Sequence, residues 1–132
     1  MNEYLRPNLD EELQNISVLG LAHVGDAVFE LMVRTWLCTH GAMTAKRLHD
    51  GAIAFVSAKA QAAASELIIA QLDNEELAVF KRGRNAHVNS VPQGSTYVEY
   101  HMATGIETLF GFLYLKGRTD RLNELFETIV EQ

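Results

Sequence analysis

Two stretches of this chain carry apolar residues on more than one helical face. Between about Ser17 and His40, a turn of about 100° per residue puts Leu19, Ala22, Phe29, Val33 and Leu37 on one face. Leu21, Val24, Val28, Leu31 and Met32 fall on the opposite face. A helix apolar nearly all round belongs in a core, yet Asp26 stands in the middle of this one. The second stretch, Tyr100 to Lys116, repeats the oddity. Glu107 shares a face with Tyr100, Ala103, Phe110 and Tyr114, while Ile106, Leu109, Phe112 and Leu113 cover the rest. A buried carboxylate is costly unless it is paired, hydrogen-bonded or metal-bound. Each acid is therefore either an ion-pair partner or a functional group. Small residues lie near both: Ala22, Gly25 and Ala27 in the first stretch, Ala103, Gly105 and Gly111 in the second. Small side chains let two helices approach closely, and two buried acids on such a pair are what a divalent metal site needs.

The same patterning organises the rest of the chain. Residues 1–16 are polar and acidic, an arm with a short helix. Gly41 is a natural stop for the first buried helix, and Thr44 is an N-cap for the next. A helical region is predicted from Ala45 to Leu72, broken near Gly51. Its alanine-rich centre has Lys59 as its one cation, which on its own reads as a surface lysine with a snorkelling stem. Asp73 caps a further helix, with Glu75 and Glu76 in the first turn, where the helix dipole favours them. That helix ends in the segment Val79 to His87. Val88 to Ser95 reads as the least structured part of the chain. Thr96 and Glu99 form a capping box for the second buried helix. A last amphipathic helix, Thr119 to Val130, presents Leu122, Leu125, Phe126 and Ile129 to the core. With only two prolines and no alternating strand pattern, the expectation is an all-α helical bundle in a single domain over 1–132.

Hydrophobic residues make up 48% and charged residues 21% of the chain, which fits an ordinary globular protein. Cys38 is the single cysteine, which rules out an intramolecular disulfide and suits a reducing compartment. No basic-then-apolar leader opens the chain and no apolar run is long enough to span a membrane, so a cytoplasmic protein is expected. The net charge of −6 argues mildly against nucleic acid, but Lys81, Arg82 and Arg84 are concentrated in one short segment. Motifs for a Gly-rich phosphate loop, a nucleophile elbow or a zinc peptidase are missing. Cys38 and His40 have no further zinc ligands at useful spacing. What remains is the Asp26 and Glu107 pair together with the Lys81 to His87 segment. Carboxylates at a buried junction suit Mg²⁺, a hard cation with oxygen ligands, and a basic segment suits phosphate. Together they suggest metal-assisted phosphodiester hydrolysis.

The segment Val24-Gly25-Asp26-Ala27-Val28 resembles the signature helix of the ribonuclease III family. Glu107-Thr108-Leu109-Phe110-Gly111 is similar to that family's second acidic motif. The resemblance is closer still to the Mini-ribonuclease III branch. It extends through Gly25 to Glu30, Val56-Ser57-Ala58-Lys59, Lys81-Arg82-Gly83-Arg84-Asn85-Ala86 and the Glu107 motif, in the family's order. It implies an all-α endonuclease domain without an appended double-stranded-RNA-binding domain. It further implies a homodimer that cuts double-stranded RNA with Mg²⁺ and matures the large-subunit ribosomal RNA precursor. Whether a ribosomal protein assists stays open.

Carried over residue by residue, the resemblance makes Asp26 and Glu107 the catalytic metal ligands. The full-size family has further acids at the positions held here by Leu19, Ala22 and Thr104; the reduced set is what the Mini-ribonuclease III branch looks like. Glu30, one turn after Asp26, either supports the metal site from behind or pairs with Arg34. Thr104 is a second supporting candidate. Lys59, Lys81, Arg82, Arg84, Asn85 and His87 are the candidates for RNA contact, with Gly83 suggesting a turn that presents the cations. Two other readings remain. One is a non-catalytic helical domain of this fold that binds RNA or a ribosomal partner. The other is a helical interaction protein whose acids are held in ion pairs by Arg34 or Lys59.

Overall fold

The computed structural model describes residues 3–41, 44–87, 91 and 93–131, and these form six α-helices and no strand. Helix α1 spans Val18–Thr39, and Ser17 Oγ caps it by accepting the Gly20 N–H at 2.9 Å. Helix α2 is Ala45–Val56, capped by Thr44, and α3 is Ala58–Ile68, capped by Ser57. Helix α4, Asn74–Arg84, and α5, Tyr97–Leu115, each start in a capping box, Asp73 with Glu76 and Thr96 with Glu99. Helix α6 is Thr119–Val130. The all-α expectation holds, and so do the caps at Thr44, Asp73 and Thr96. Gly41 and Gly117 take positive φ values of 95° and 79° just beyond α1 and α5, the left-handed backbone that glycine adopts without strain. Of the Val88 to Ser95 segment predicted to be least structured, Val88 to Ser90 and Pro92 lie outside the described residues.

Helices α1 and α5 form the centre. Helix α5 is buried at almost every position from Ala103 to Leu113. Helix α1 turns Leu21, Gly25, Phe29, Val33 and Leu37 towards it. The ring of Phe29 meets Phe110 at 5.4 Å and Phe126 at 6.1 Å, both edge-on. Each large apolar side chain so enclosed contributes roughly 1.5–3 kcal/mol relative to exposure. Helices α3 and α4 pack on α5, and Leu122, Leu125, Phe126 and Ile129 of α6 close the core as the pattern predicted.

Several expectations are corrected. Asp26 is exposed, not buried: the apolar girdle of α1 is incomplete, and Leu19, His23, Asp26, Ala27 and Leu31 form an open stripe. The helical region breaks at Ser57, where the 45–56 and 58–71 pieces bend by 58°, and not near Gly51. Gly51 stays helical and half-buried, packed against α1, where a Cβ would stand 2.8 Å from Leu37 Cδ2. Glu75 and Glu76 stand in the first turn of α4 as expected, but Glu76 also has a long-range partner. It is 2% exposed and gripped by Arg121, with Nε to Oε2 and Nη2 to Oε1 both at 2.9 Å. Gly83 makes no turn. It is helical and buried, and a Cβ would lie 2.3 Å from Thr108 Oγ1, so the glycine serves the approach of α4 to α5.

Candidate active site

The site is set by how closely α1 and α5 cross. A Cβ on Gly25 would lie 1.6 Å from the Glu107 carbonyl oxygen, and one on Gly111 would lie 1.9 Å from that of Leu21. No side chain fits at either place. The crossing therefore puts the residue after Gly25 beside the residue whose carbonyl Gly25 touches. Those residues are Asp26 and Glu107. The small residues that suggested a close pair of helices are the cause of the juxtaposition of the two acids.

The electrostatics follow from the geometry. Glu107 is half-buried on α5, and its carboxyl is pushed up to about 8, first by burial and then by the hydrogen bond and charge of Asp26. A neighbouring carboxylate disfavours ionisation of the second acid. Gln61 of α3 acts in the opposite sense, its amide favouring ionised Glu107. This amide is 2% exposed, and its Nε2 makes no hydrogen bond of normal geometry among the described residues. Ser57, Lys59, Gln61, Ser95, Tyr100 and Glu107 all line one cavity of about 380 Å³ between α3 and α5.

Two adjacent carboxylates that repel each other, with an unsatisfied buried amide behind them, suit a divalent cation bound through oxygen. Asp26 and Glu107 would hold it. Among the described residues no group of three or more His, Cys, Asp or Glu gathers anywhere, in keeping with the reduced acid set.

The other candidates fall into three groups. Lys59 is exposed at the mouth of the Glu107 cavity. Lys81 and Arg82 are exposed in the last turn of α4, whereas Arg84 is half-buried with its Nε donating to Asn85 Oδ1 at 3.3 Å. Asn85 and His87 are exposed just beyond. Since Gly83 seats on Thr104 and Thr108, α4 ends against the part of α5 that carries Glu107. Glu30 pairs with Arg34 at 3.2 Å, one turn along the open face of α1. Thr104 donates its hydroxyl to the Tyr100 carbonyl at 3.0 Å, so its proton is committed to the helix.

Two residues escaped the sequence reading. Gln61 carries no charge and sits among alanines, so nothing but its polarity inside an apolar segment marked it. His101 is buried, with Nδ1 at 2.8 Å from the Arg84 carbonyl oxygen. It thereby ties the end of α4 to α5. Its spacing from Arg84 carries no local signal.

Six helices closed around a crossing that pairs one aspartate with one glutamate define a ribonuclease III-type endonuclease domain. The ribonuclease III domain family matches residues 19–118. The chain belongs to the ribonuclease III family of endoribonucleases, in its Mini-ribonuclease 3 branch. It is 38% identical to the Mini-ribonuclease 3 of Clostridium tetani over 121 residues, covering 91% of this chain and 80% of that protein. It is 36% identical to that of Enterococcus faecalis over 123 residues, covering 92% and 93%. A crystal structure of a Fusobacterium nucleatum protein superposes with a TM-score of 0.85 at 28% identity, over 93% of this chain and 100% of that one.

Proposed function

We propose that this chain is a single catalytic domain that hydrolyses phosphodiester bonds in double-stranded RNA with Mg²⁺ held by Asp26 and Glu107. The observation that carries this reading is the pairing of those carboxylates at a crossing too tight for any side chain but hydrogen. Mg²⁺ held by these two residues would supply Lewis acidity, to a phosphate oxygen and to an attacking water. Asp26, on the open face of α1, offers its carboxylate from the solvent side. Glu107 offers its own from the cavity side and gives up its proton to do so. Lys59 at the cavity mouth and the exposed Lys81 and Arg82 supply positive charge for the RNA backbone.

Duplex RNA presents two antiparallel strands, and one such site meets one strand. A twofold homodimer presents two identical sites to both. The exposed apolar side chains of Leu19 and Leu31 on α1, 52% and 62% exposed on either side of Asp26 along the helix, support this. Phe29 is 1% exposed inside the core and takes no part in such an interface. The family resemblance points to large-subunit ribosomal RNA precursor as substrate and to the cytoplasm as the place of action. No single helix among the described residues is long and apolar enough to cross a membrane.

The test is incubation of the protein with structured ribosomal RNA precursor, with and without Mg²⁺. Discrete cleavage products that require Mg²⁺ are expected. Asp26→Asn and Glu107→Gln should bind RNA and cut at least about a hundredfold more slowly, the equivalent of about 3 kcal/mol or more of lost metal stabilisation. Full activity in either variant would overturn the assignment.

A further inference from the structure

We propose that Gln61 is a positioning residue of this site, its side-chain amide orienting the Glu107 carboxylate towards a divalent cation shared with Asp26. The inference rests on the metal-site reading above. Its motive is a discrepancy in the packing of α3. The buried positions of that helix are Gln61, Ala62, Ala64, Ser65 and Ile68. Ser65 is satisfied, its hydroxyl lying 2.9 Å from the Gln61 carbonyl oxygen and 3.2 Å from that of Met102. Gln61 is not: it is 2% exposed and its Nε2 makes no hydrogen bond of normal geometry among the described residues, although the side chain acts on Glu107. Buried polar atoms are almost always paired, so an orphan calls for a cause. A leucine or methionine would fill the same volume without leaving a donor unpaired.

The cause lies in what the amide faces. Gln61 and Glu107 line the same cavity, and the Gln61 side chain interacts with the Glu107 carboxyl from the α3 side while Asp26 approaches from α1. A carboxylate that binds a cation through one oxygen leaves the other free to accept an N–H. In the proposed arrangement the Gln61 Nε2 supplies it. Orienting partners of this kind behind metal ligands fix the ligand's direction and strengthen binding by roughly 10–100-fold. The amide thus touches the Glu107 carboxyl without a hydrogen bond of normal geometry in this structure, and a cation-oriented carboxylate would give it one.

The test measures Mn²⁺ binding to the RNA-free dimer or monomer by electron paramagnetic resonance of the free ion, alongside thermal unfolding without metal. Gln61→Met, which keeps the volume and removes the amide, is expected to unfold at the wild-type temperature or above it and to bind Mn²⁺ at least about tenfold more weakly. Gln61→Asn, which draws the amide back by one methylene, is expected to lose affinity as well and guards against a folding defect in the first variant. Wild-type Mn²⁺ affinity in either folded variant overturns the proposal. So does a metal-free Gln61→Met protein that melts well below wild type, since the amide would then be holding the fold. Asp26→Asn is the control that separates the two readings. If it binds Mn²⁺ like wild type, the metal site itself is wrong. If it loses binding while both Gln61 variants keep theirs, only the role of Gln61 is wrong.

Discussion

Glu107 is the residue where structure and chemistry meet most directly, and its protonation has a measurable consequence. Its folded-state carboxyl titrates near 8, against an ordinary value of 4.5. Between those values the folded state binds the extra proton and the unfolded chain does not. Stability from this group is therefore present below about pH 4.5 and is lost progressively as pH rises towards about 8. The groups facing it are Asp26 from α1, Gln61 and Lys59 from α3, and Tyr100 on its own helix. Without divalent cations, Glu107→Gln is expected to melt near wild type at about pH 5 and a few degrees above it at about pH 9. Calorimetric scans at the two pH values check this, and parallel melting curves would mean that Glu107 titrates normally. The acids were readable in the sequence because a carboxylate inside an apolar helix is conspicuous. The exposure of Asp26 was not readable. Periodicity tells which residues share a face, and only the packing tells which face is covered. Gln61 was invisible because a neutral amide carries no pattern of its own.

At the scale of elements, caps and stops could be read locally because they act locally. A hydroxyl or carboxylate placed three residues before an amide satisfies it whatever lies elsewhere. The final helix, Thr119–Val130, came out with its predicted ends and its predicted buried face. The errors came from glycines. Gly51 and Gly83 read as breaks by conformational preference alone, but both sit inside helices where a neighbouring helix occupies the space of a Cβ. A long-range reason of this kind has no local signature. The same holds for Glu76 and Arg121, which lie far apart in sequence yet form the most enclosed ion pair among the described residues. Nη2 of Arg121 also donates to the Gln71 carbonyl at 2.6 Å, which locks the start of α4 to α6 and to the 69–71 turn. Removing one partner leaves the other charge buried without compensation. Arg121→Met is accordingly expected to destabilise the fold by about 2–4 kcal/mol, near the lower end for buried pairs because the guanidinium is partly exposed. Urea unfolding gives the number. A loss below about 0.5 kcal/mol would place the pair with ordinary surface salt bridges.

For the whole molecule, the question is how a protein with a net charge of −6 holds a polyanion. Affinity for duplex RNA comes mainly from phosphate contacts and falls with salt; shape and 2′-hydroxyls do much of the reading. Overall attraction is absent, so local cations must supply it. Two acids of α4 are held away from them: Glu76 is engaged by Arg121, and Glu75 bridges Arg118 and Lys116 at the other end of the helix. At the C-terminal end, Lys81 and Arg82 stand exposed, while Arg84 is half-buried and its Nε donates to Asn85 Oδ1. The two most exposed cations of the segment are therefore the ones to test first. Both also sit where the helix dipole favours cations, so a purely structural role would leave RNA binding unchanged on their removal. Lys81→Ala with Arg82→Ala is expected to weaken duplex RNA binding and to reduce the slope of log affinity against log salt by roughly one unit for each phosphate no longer neutralised. Both residues are exposed, so melting temperature should stay within a degree or two of wild type. The measurement is affinity across a salt series, in Ca²⁺ to hold cleavage back, for wild type and double variant. Converging lines of different slope locate the RNA on the end of α4. Superimposed lines would assign these cations to the helix terminus alone and move the RNA surface towards Lys59 and His87.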